Sequence, residues 1–190
     1  MSRSVTLVSS LMVAGFATGA AVLAQAAELR RYELPNLDTL ELLIPAGWVD
    51  EVDQPPGGKL TIEFRTAEGS PLQVFVTPEW IDPTAPEVRE LPALRDAVRD
   101  AAERIKPQVV ENFLEVRQLN GANGTGYYFQ ATDRAPRADG FKYMSEGALQ
   151  VGELTLWFTI LTNDGQDTVG VEALSILQSA VHRRTGLDQR

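Results

Sequence analysis

The chain has 190 residues, with 26 acidic and 17 basic side chains, one histidine and no cysteine, and its formal net charge at pH 7 is −9. An acidic protein of this kind is a poor nucleic-acid binder and is repelled by anionic lipid surfaces. The lack of cysteine excludes disulfides, thiol catalysis and lipid attachment at a lipobox cysteine. Because there is also only one histidine, a zinc site built from several histidines or cysteines is excluded. A carboxylate calcium site stays open but no EF-hand spacing occurs, and we predict no metal and no other cofactor.

The first 26 residues have the pattern of a secretory signal peptide. Arg3 gives a positive start, residues 5–23 are uncharged, and Ala24-Gln25-Ala26 has the small-x-small form of a signal-peptidase site. Cleavage leaves a domain at 27–185 with a frayed tail at 186–190, and the loss of Arg3 moves the net charge from −9 to −10. The alternative is an uncleaved membrane anchor, since this apolar run nearly spans a bilayer. We therefore expect a periplasmic or secreted protein with no stable membrane insertion after cleavage.

Short strands are predicted from there to about residue 76. Residues 30–38 form an extended lead-in, and the alternation of apolar residues over 40–44 predicts a strand. A polar loop is predicted at 50–59. A hairpin follows, with strands over 60–64 and 72–76.

Two helices are predicted on either side of a run of four strands. The first begins near Pro92, a residue favoured in the first turn, and ends at Pro107. The second covers residues 166–182, and its end would place His182 as a surface cap. Both helices have one apolar face at helical spacing. The four strands between them are predicted at residues 113–119, 126–132, 141–149 and 154–161.

The last of these strands decides the fold class. Its residues 154, 156, 158 and 160 are large and apolar and share one face, while Trp157 and Leu161 make the opposite face half apolar. Such a strand needs cover on both sides, and short turns indicate antiparallel neighbours. We predict an α+β fold, an α/β/α sandwich with a central, mainly antiparallel sheet and two long helices, one over each face.

The sequence contains no recognisable catalytic constellation. His182 and carboxylate pairs such as Glu146 with Glu153 are the groups left for acid–base chemistry, and neither has a diagnostic context. We predict that the protein is not an enzyme and keep a hydrolase of unknown class as the last alternative. Weak binding candidates lie on the long polar loop 133–140 and among the aromatic residues of the predicted sheet. They are Asp133, Arg134, Arg137, Asp139, Tyr128 and Trp157.

Residues 42–48 read Leu-Leu-Ile-Pro-Ala-Gly-Trp, which is similar to the strand-Pro-x-x-Trp opening of PsbP-like domains. The early hairpin, the helix, the strand meander and a closing helix around residues 174–179 follow in the matching order. Over about residues 38–183 the chain resembles the PsbP-like superfamily, which includes the photosystem II extrinsic protein P and exported bacterial DcrB-type domains. The resemblance implies a non-enzymatic accessory or binding role on an α/β/α sandwich.

The N-terminal pattern, the resemblance and the lack of catalytic residues together predict an exported accessory protein of the bacterial cell envelope that binds a protein partner. The alternative is a carrier of a small molecule or a cation, using the aromatic sheet face or the 133–140 loop. The sequence predicts no nucleic-acid partner, and it leaves the oligomeric state open.

Overall fold

The structure is a computed structural model that describes residues 27–35, 38–67, 69, 71–81 and 90–184. The predicted signal peptide at 1–26 and the predicted tail at 186–190 lie outside the described residues.

The described residues form ten strands and two α-helices. The strands are β1 Glu28–Glu33, β2 Thr39–Ile44, β3 Trp48–Asp53, β4 Thr61–Thr66, β5 Gln73–Trp80, β6 Arg117–Asn120, β7 Gly124–Thr132, β8 Tyr143–Val151, β9 Leu154–Thr162 and β10 Val181–Arg183. The helices are α1 Leu91–Ile105 and α2 Asp167–Gln178, and a short 3-10 turn at Lys106–Gln108 follows α1.

The strands are arranged in two sheets, and every pairing in them is antiparallel. A small sheet has the order β1-β2-β10, and a seven-stranded sheet has the order β3-β4-β5-β9-β8-β7-β6. β9 is therefore the middle strand of the large sheet, as its two apolar faces predict. The predicted meander corresponds to β6–β9, although its first strand begins at Arg117 rather than Phe113, whose side chain is 73% exposed.

The two faces of the large sheet are covered by different elements. On one face, Phe158 and its neighbours on β9 pack with α2 and with the inner face of the small sheet in the larger apolar core. On the other face, α1 packs on β7 and β8 through Leu94 and Val98, which meet Phe129 and Ala148. One helix therefore lies over each face, and the predicted α+β sandwich is confirmed.

The predicted polar loop at 50–59 was wrong in its first part, because residues 48–53 form β3 at the edge of the large sheet. The apolar alternation expected of a strand is broken there by an inward-facing charge. Asp50 is aligned with Phe64 on the inner face and accepts a hydrogen bond from the Tyr32 hydroxyl at 3.0 Å. Arg30 forms an ion pair with the same carboxylate, so this inward charge is paired within the fold.

The predicted end of the second helix at 182 was also wrong. α2 ends at Gln178, and Val181–Arg183 pair with β2 as β10. Ser179 fixes this change of direction, because its hydroxyl donates to the carbonyl of Ile176 at 2.6 Å and accepts the Leu43 N–H at 2.8 Å. His182 is therefore a strand residue and not a surface helix cap.

Candidate functional site

A depression runs alongside α1 on the large sheet, where the helix leaves part of β9 and β5 uncovered. Near the start of α1, Ala93 and Ala97 face Thr155 and Trp157 across a hollow of about 190 Å³. Near its end, Ile105 faces the other end of β9 across a hollow of about 220 Å³. A smaller hollow of about 90 Å³ lies between them and shares Trp157 with the first and Glu146 with the second. We call these three hollows together the α1 trough.

The floor of the α1 trough is set by strand register. Thr159 of β9 is aligned with Phe75 of β5 on one side and with Glu146 of β8 on the other. These three side chains therefore form one row across the sheet. The next row places Trp157 between Thr77 and Ala148. Because side chains alternate along each strand, both rows point toward the α1 side.

Glu146 is the charged group in the middle of this floor, while Glu79, Asp133 and Lys142 line the two end hollows. Its neighbour on β7 is Phe129, which is fully buried under α1, so the carboxylate stands where the covered and uncovered parts of the face meet. Burial raises the pKa of Glu146 above its ordinary value, and the positive charge of Arg104 on α1 reduces that rise. In the described residues no donor hydrogen-bonds the carboxylate and no cation lies within 4 Å of it.

The uncovered sheet face beside the trough is acidic. Two ion pairs lie on it, one between Arg65 and Glu51 at 3.8 Å and one between Lys59 and Glu79. Strand alternation puts Glu63 and Asp53 on the same face. With Glu146, the described part of this face carries five carboxylates and two cations: Glu51, Asp53, Glu63, Glu79 and Glu146 against Lys59 and Arg65. At the end of the trough, Asp133 and Lys142 add one charge of each sign.

The trough brings together two of the predicted binding candidates. Trp157 is partly exposed in its floor, and Asp133 lines its end near Ile105. Arg134 has an internal role instead, because its guanidinium donates to the carbonyl of Val109 at 2.7 Å and holds the loop to the segment after α1. Arg137 and Asp139 are exposed on the same loop.

Tyr128 does not belong to this site. Its side chain lies on the opposite face of the large sheet, packed against the larger core.

Sequence reasoning also missed two trough residues, Phe75 and Glu146, as binding candidates. The available signal was Glu146 itself, a charge on the α1 side of an otherwise apolar strand segment. Its suggested catalytic partner, Glu153, lies in the turn after β8 and pairs with Arg184 at 3.0 Å.

A single groove of about 330 Å³ lies on the other face, between the start of α2, the end of β7 and the start of β8. Several of its polar groups are engaged with one another. Thr132 donates through its hydroxyl to Glu111 at 2.6 Å, and the Asn163 N–H donates to Gln166 at 2.6 Å. Groups that already satisfy each other offer little to a ligand, so the α1 trough is the stronger candidate.

His182 lies inside the protein, with 2% of its side chain exposed. Its Nδ1 accepts the backbone N–H of Glu153 at 3.3 Å, so the ring proton is on Nε2, which lies 3.2 Å from Asp38 Oδ2. The ring also packs edge-on against Trp80, with centroids 5.3 Å apart. Both nitrogens are used within the fold, which leaves no free ring nitrogen to activate a substrate.

Among the described helices, none combines the length and the apolar character needed to span a lipid bilayer. The described residues also contain no group of three or more histidine or carboxylate side chains placed to hold a metal ion.

A seven-stranded antiparallel sheet, with α1 on one face and α2 plus a small sheet on the other, defines a PsbP-like fold. The solution structure of cyanobacterial PsbP (CyanoP) from Synechocystis sp. PCC 6803 is similar, with a TM-score of 0.53, 14% identity, and coverage of 87% of this chain and 98% of that one. A crystal structure from Bacteroides thetaiotaomicron VPI-5482 has a TM-score of 0.51 and 11% identity over 82% of this chain, which spans about half (49%) of that one. No family model and no curated protein matches the sequence. The likeness establishes the fold alone.

Proposed function

We propose that this chain is an exported, non-enzymatic accessory protein of the bacterial cell envelope that acts by binding a protein partner along the α1 trough. The observation that carries the proposal is the uncovered floor of the trough. Phe75 and Trp157 are partly exposed there, side by side with polar and acidic groups. Partly exposed aromatic side chains in a contiguous depression with a polar rim are typical of protein-binding surfaces.

Two further observations support the non-enzymatic, exported part of the proposal. The fold is PsbP-like, and the resemblance in sequence layout includes photosystem extrinsic proteins and exported bacterial domains. The single histidine is buried and hydrogen-bonded on both nitrogens, which argues against a hydrolase that uses His182. Export rests on the N-terminal pattern of Arg3, an apolar run and Ala24-Gln25-Ala26.

The test of the partner is photo-crosslinking in the native envelope. A photoreactive benzoylphenylalanine replaces Thr159 in the trough, and in a matched control it replaces Val171, which is 67% exposed on α2 on the other side of the large sheet. We expect a discrete crosslinked protein from position 159 and none from position 171. Loss of the product in a Phe75→Gln variant would tie it to the trough. No product at 159, or equal products at both positions, would contradict the proposal.

The test of export is the mass of the protein recovered from the envelope fraction. We expect a chain that begins at Ala27. A full-length chain that remains with the membrane after washing would support the anchor alternative instead.

The lone carboxylate of Glu146 favours one second candidate, a carrier of a small organic cation in the same trough. Native mass spectrometry of protein taken from its own envelope separates the two functions. A carrier retains a bound small molecule that a Glu146→Gln variant lacks, whereas a protein-binding surface yields the unliganded chain.

A further inference from the structure

We infer that Glu146 is the receptor for one cationic side chain of the partner, an arginine or a lysine whose aliphatic stem lies over Phe75 and Trp157 in the α1 trough. This inference rests on the proposed function, because it names the chemistry that the partner presents to that surface.

The row formed by Phe75, Thr159 and Glu146 has a length and a chemistry that suit an arginine or lysine side chain. Phe75 and Glu146 are two strands apart, with Thr159 between them, so about 10 Å separates their backbones at the usual strand spacing. An arginine or lysine side chain is apolar along its stem and charged at its end. The stem therefore meets Phe75 and Trp157 while the charged end reaches the Glu146 carboxylate, and the aromatic rings also attract the cation.

The electrostatic state of Glu146 favours a cation over other ligands. Its carboxylate is partly buried, and in the described residues it has neither a hydrogen-bond donor nor a cation within 4 Å. Arg104 acts on it from farther away and stays exposed on α1. An apolar ligand would bury the charge further without a partner, which is costly. An incoming cation supplies the missing partner.

The surroundings favour a basic protein segment over a metal ion. Calcium requires six to eight oxygen ligands, whereas the described residues contain no cluster of three or more acidic or histidine side chains. The uncovered face beside the trough has five carboxylates against two cations, so it attracts positive charge along its length. A protein segment that carries an arginine or a lysine therefore complements both the row of Phe75, Thr159 and Glu146 and the negative charge of the neighbouring sheet face.

The experiment is an NMR titration of the ¹⁵N-labelled protein with two blocked tripeptides, Leu-Arg-Leu and its neutral analogue Leu-citrulline-Leu. Citrulline keeps the shape of arginine but has no charge. We expect the indole N–H of Trp157 and the backbone N–H of Thr159 to shift with the arginine peptide and to stay unchanged with the citrulline peptide. A lysine peptide is expected to bind more weakly, since it lacks the planar fork that pairs with a carboxylate.

Three variants define the site. Glu146→Gln is expected to weaken binding of the arginine peptide at least tenfold. Glu33→Gln removes the same charge from the exposed face of the small sheet and is expected to leave binding unchanged. Arg104→Gln removes the α1 cation whose charge acts on Glu146 and is expected to strengthen binding two- to fivefold. Burial raises the pKa of Glu146, so its carboxylate takes up a proton at a higher pH than an ordinary glutamate. Binding of the arginine peptide is therefore also expected to weaken as the pH is lowered through that raised pKa.

The outcomes separate this inference from the proposed function. Equal binding of the two peptides, or equal binding to the Glu146→Gln variant, overturns the inference, even if position 159 crosslinks to a protein. Binding that depends on arginine and on Glu146, together with a crosslink at 159, supports both. Binding of this kind without any crosslinked protein supports the cation site and overturns the protein-partner function in favour of a carrier.

Discussion

Replacing His182 with alanine is expected to lower the free energy of unfolding by about 3 kcal/mol, although the residue lies near the end of the described chain. The imidazole links β10 to two other parts of the fold. Its Nε2 lies 3.2 Å from the Asp38 carboxylate, and its Nδ1 accepts the Glu153 N–H at 3.3 Å. Without the ring, the Glu153 N–H loses its acceptor, which costs roughly 1–3 kcal/mol.

The contacts of His182 with Asp38 and Trp80 account for the rest of the expected loss in stability. A hydrogen bond to a charged group contributes roughly 1.5–3 kcal/mol, but Asp38 keeps another interaction within the fold and so loses less than the full amount. The edge-on contact with Trp80 adds about 0.5–1.5 kcal/mol. These terms are not additive, and about 3 kcal/mol is a conservative total.

The assay is urea unfolding at pH 7.5 of the protein expressed without residues 1–26, followed by tryptophan fluorescence and circular dichroism. A fall of about 3 kcal/mol in the free energy of unfolding corresponds to a fall in Tm of roughly 6–12 °C for a domain of this size. A double-mutant cycle with Asp38→Asn is expected to give a coupling energy of about 1–2 kcal/mol. Arg184→Ala, which removes an exposed ion pair with Glu153, is the control and is expected to cost less than about 1 kcal/mol.

A loss below about 1 kcal/mol for His182→Ala, or a double-mutant cycle without coupling, would refute the reasoning. Either result would mean that the imidazole behaves as an exposed terminal group and not as a buried, hydrogen-bonded one.

Three more predictions concern two glycines and the partly buried carboxylate of Glu111. Gly147→Ala is expected to cost about 2 kcal/mol, because a Cβ there would lie 2.3 Å from the Tyr127 carbonyl oxygen; unchanged unfolding would show that β7 and β8 separate easily. Gly170→Ala in α2 meets nothing within 4 Å and is expected to add about 0.5–1 kcal/mol, so a loss would reveal a contact at that site. Burial alone would raise the pKa of Glu111, but hydrogen bonds from Thr132 outweigh burial and lower it. The resulting stability is present above the unfolded pKa and disappears as the pH falls through the lowered one. Glu111→Gln is therefore expected to destabilise at pH 7 and to converge with the parent at pH 3, and a difference independent of pH would contradict this.

The sandwich was predictable from sequence because its main signal is local. The apolar residues on both faces of β9 occupy one short segment, and a period of two identifies both faces at once. β3 was missed because Asp50 stands at an inward position, and only the fold shows that Tyr32 and Arg30 satisfy it. β10 was missed because a strand of three residues has no signal of its own and exists only by pairing with β2.

The candidate site was predictable only in part for a related reason. Trp157 is visible as an aromatic residue on the second face of a strand. The row that contains Glu146 depends on β5 pairing with β9 across about eighty residues of chain, and no sequence pattern gives that register. Loop length and charge pointed to Arg134, but its guanidinium serves the backbone of Val109, a role that a loop sequence cannot reveal.

The small sheet also determines how this domain can be attached to anything else. β1 and β10 flank β2 on its two sides, so the described chain enters at Glu28 beside Ile44 and leaves near Arg183 beside Thr39. Both attachment points lie in the layer on the α2 side of the large sheet, whereas the trough opens on the α1 side. A tether at either end, whether a retained lipid-embedded segment or a fused domain, would therefore be attached on the α2 side. The trough, on the opposite face, would then stay accessible to a binding partner.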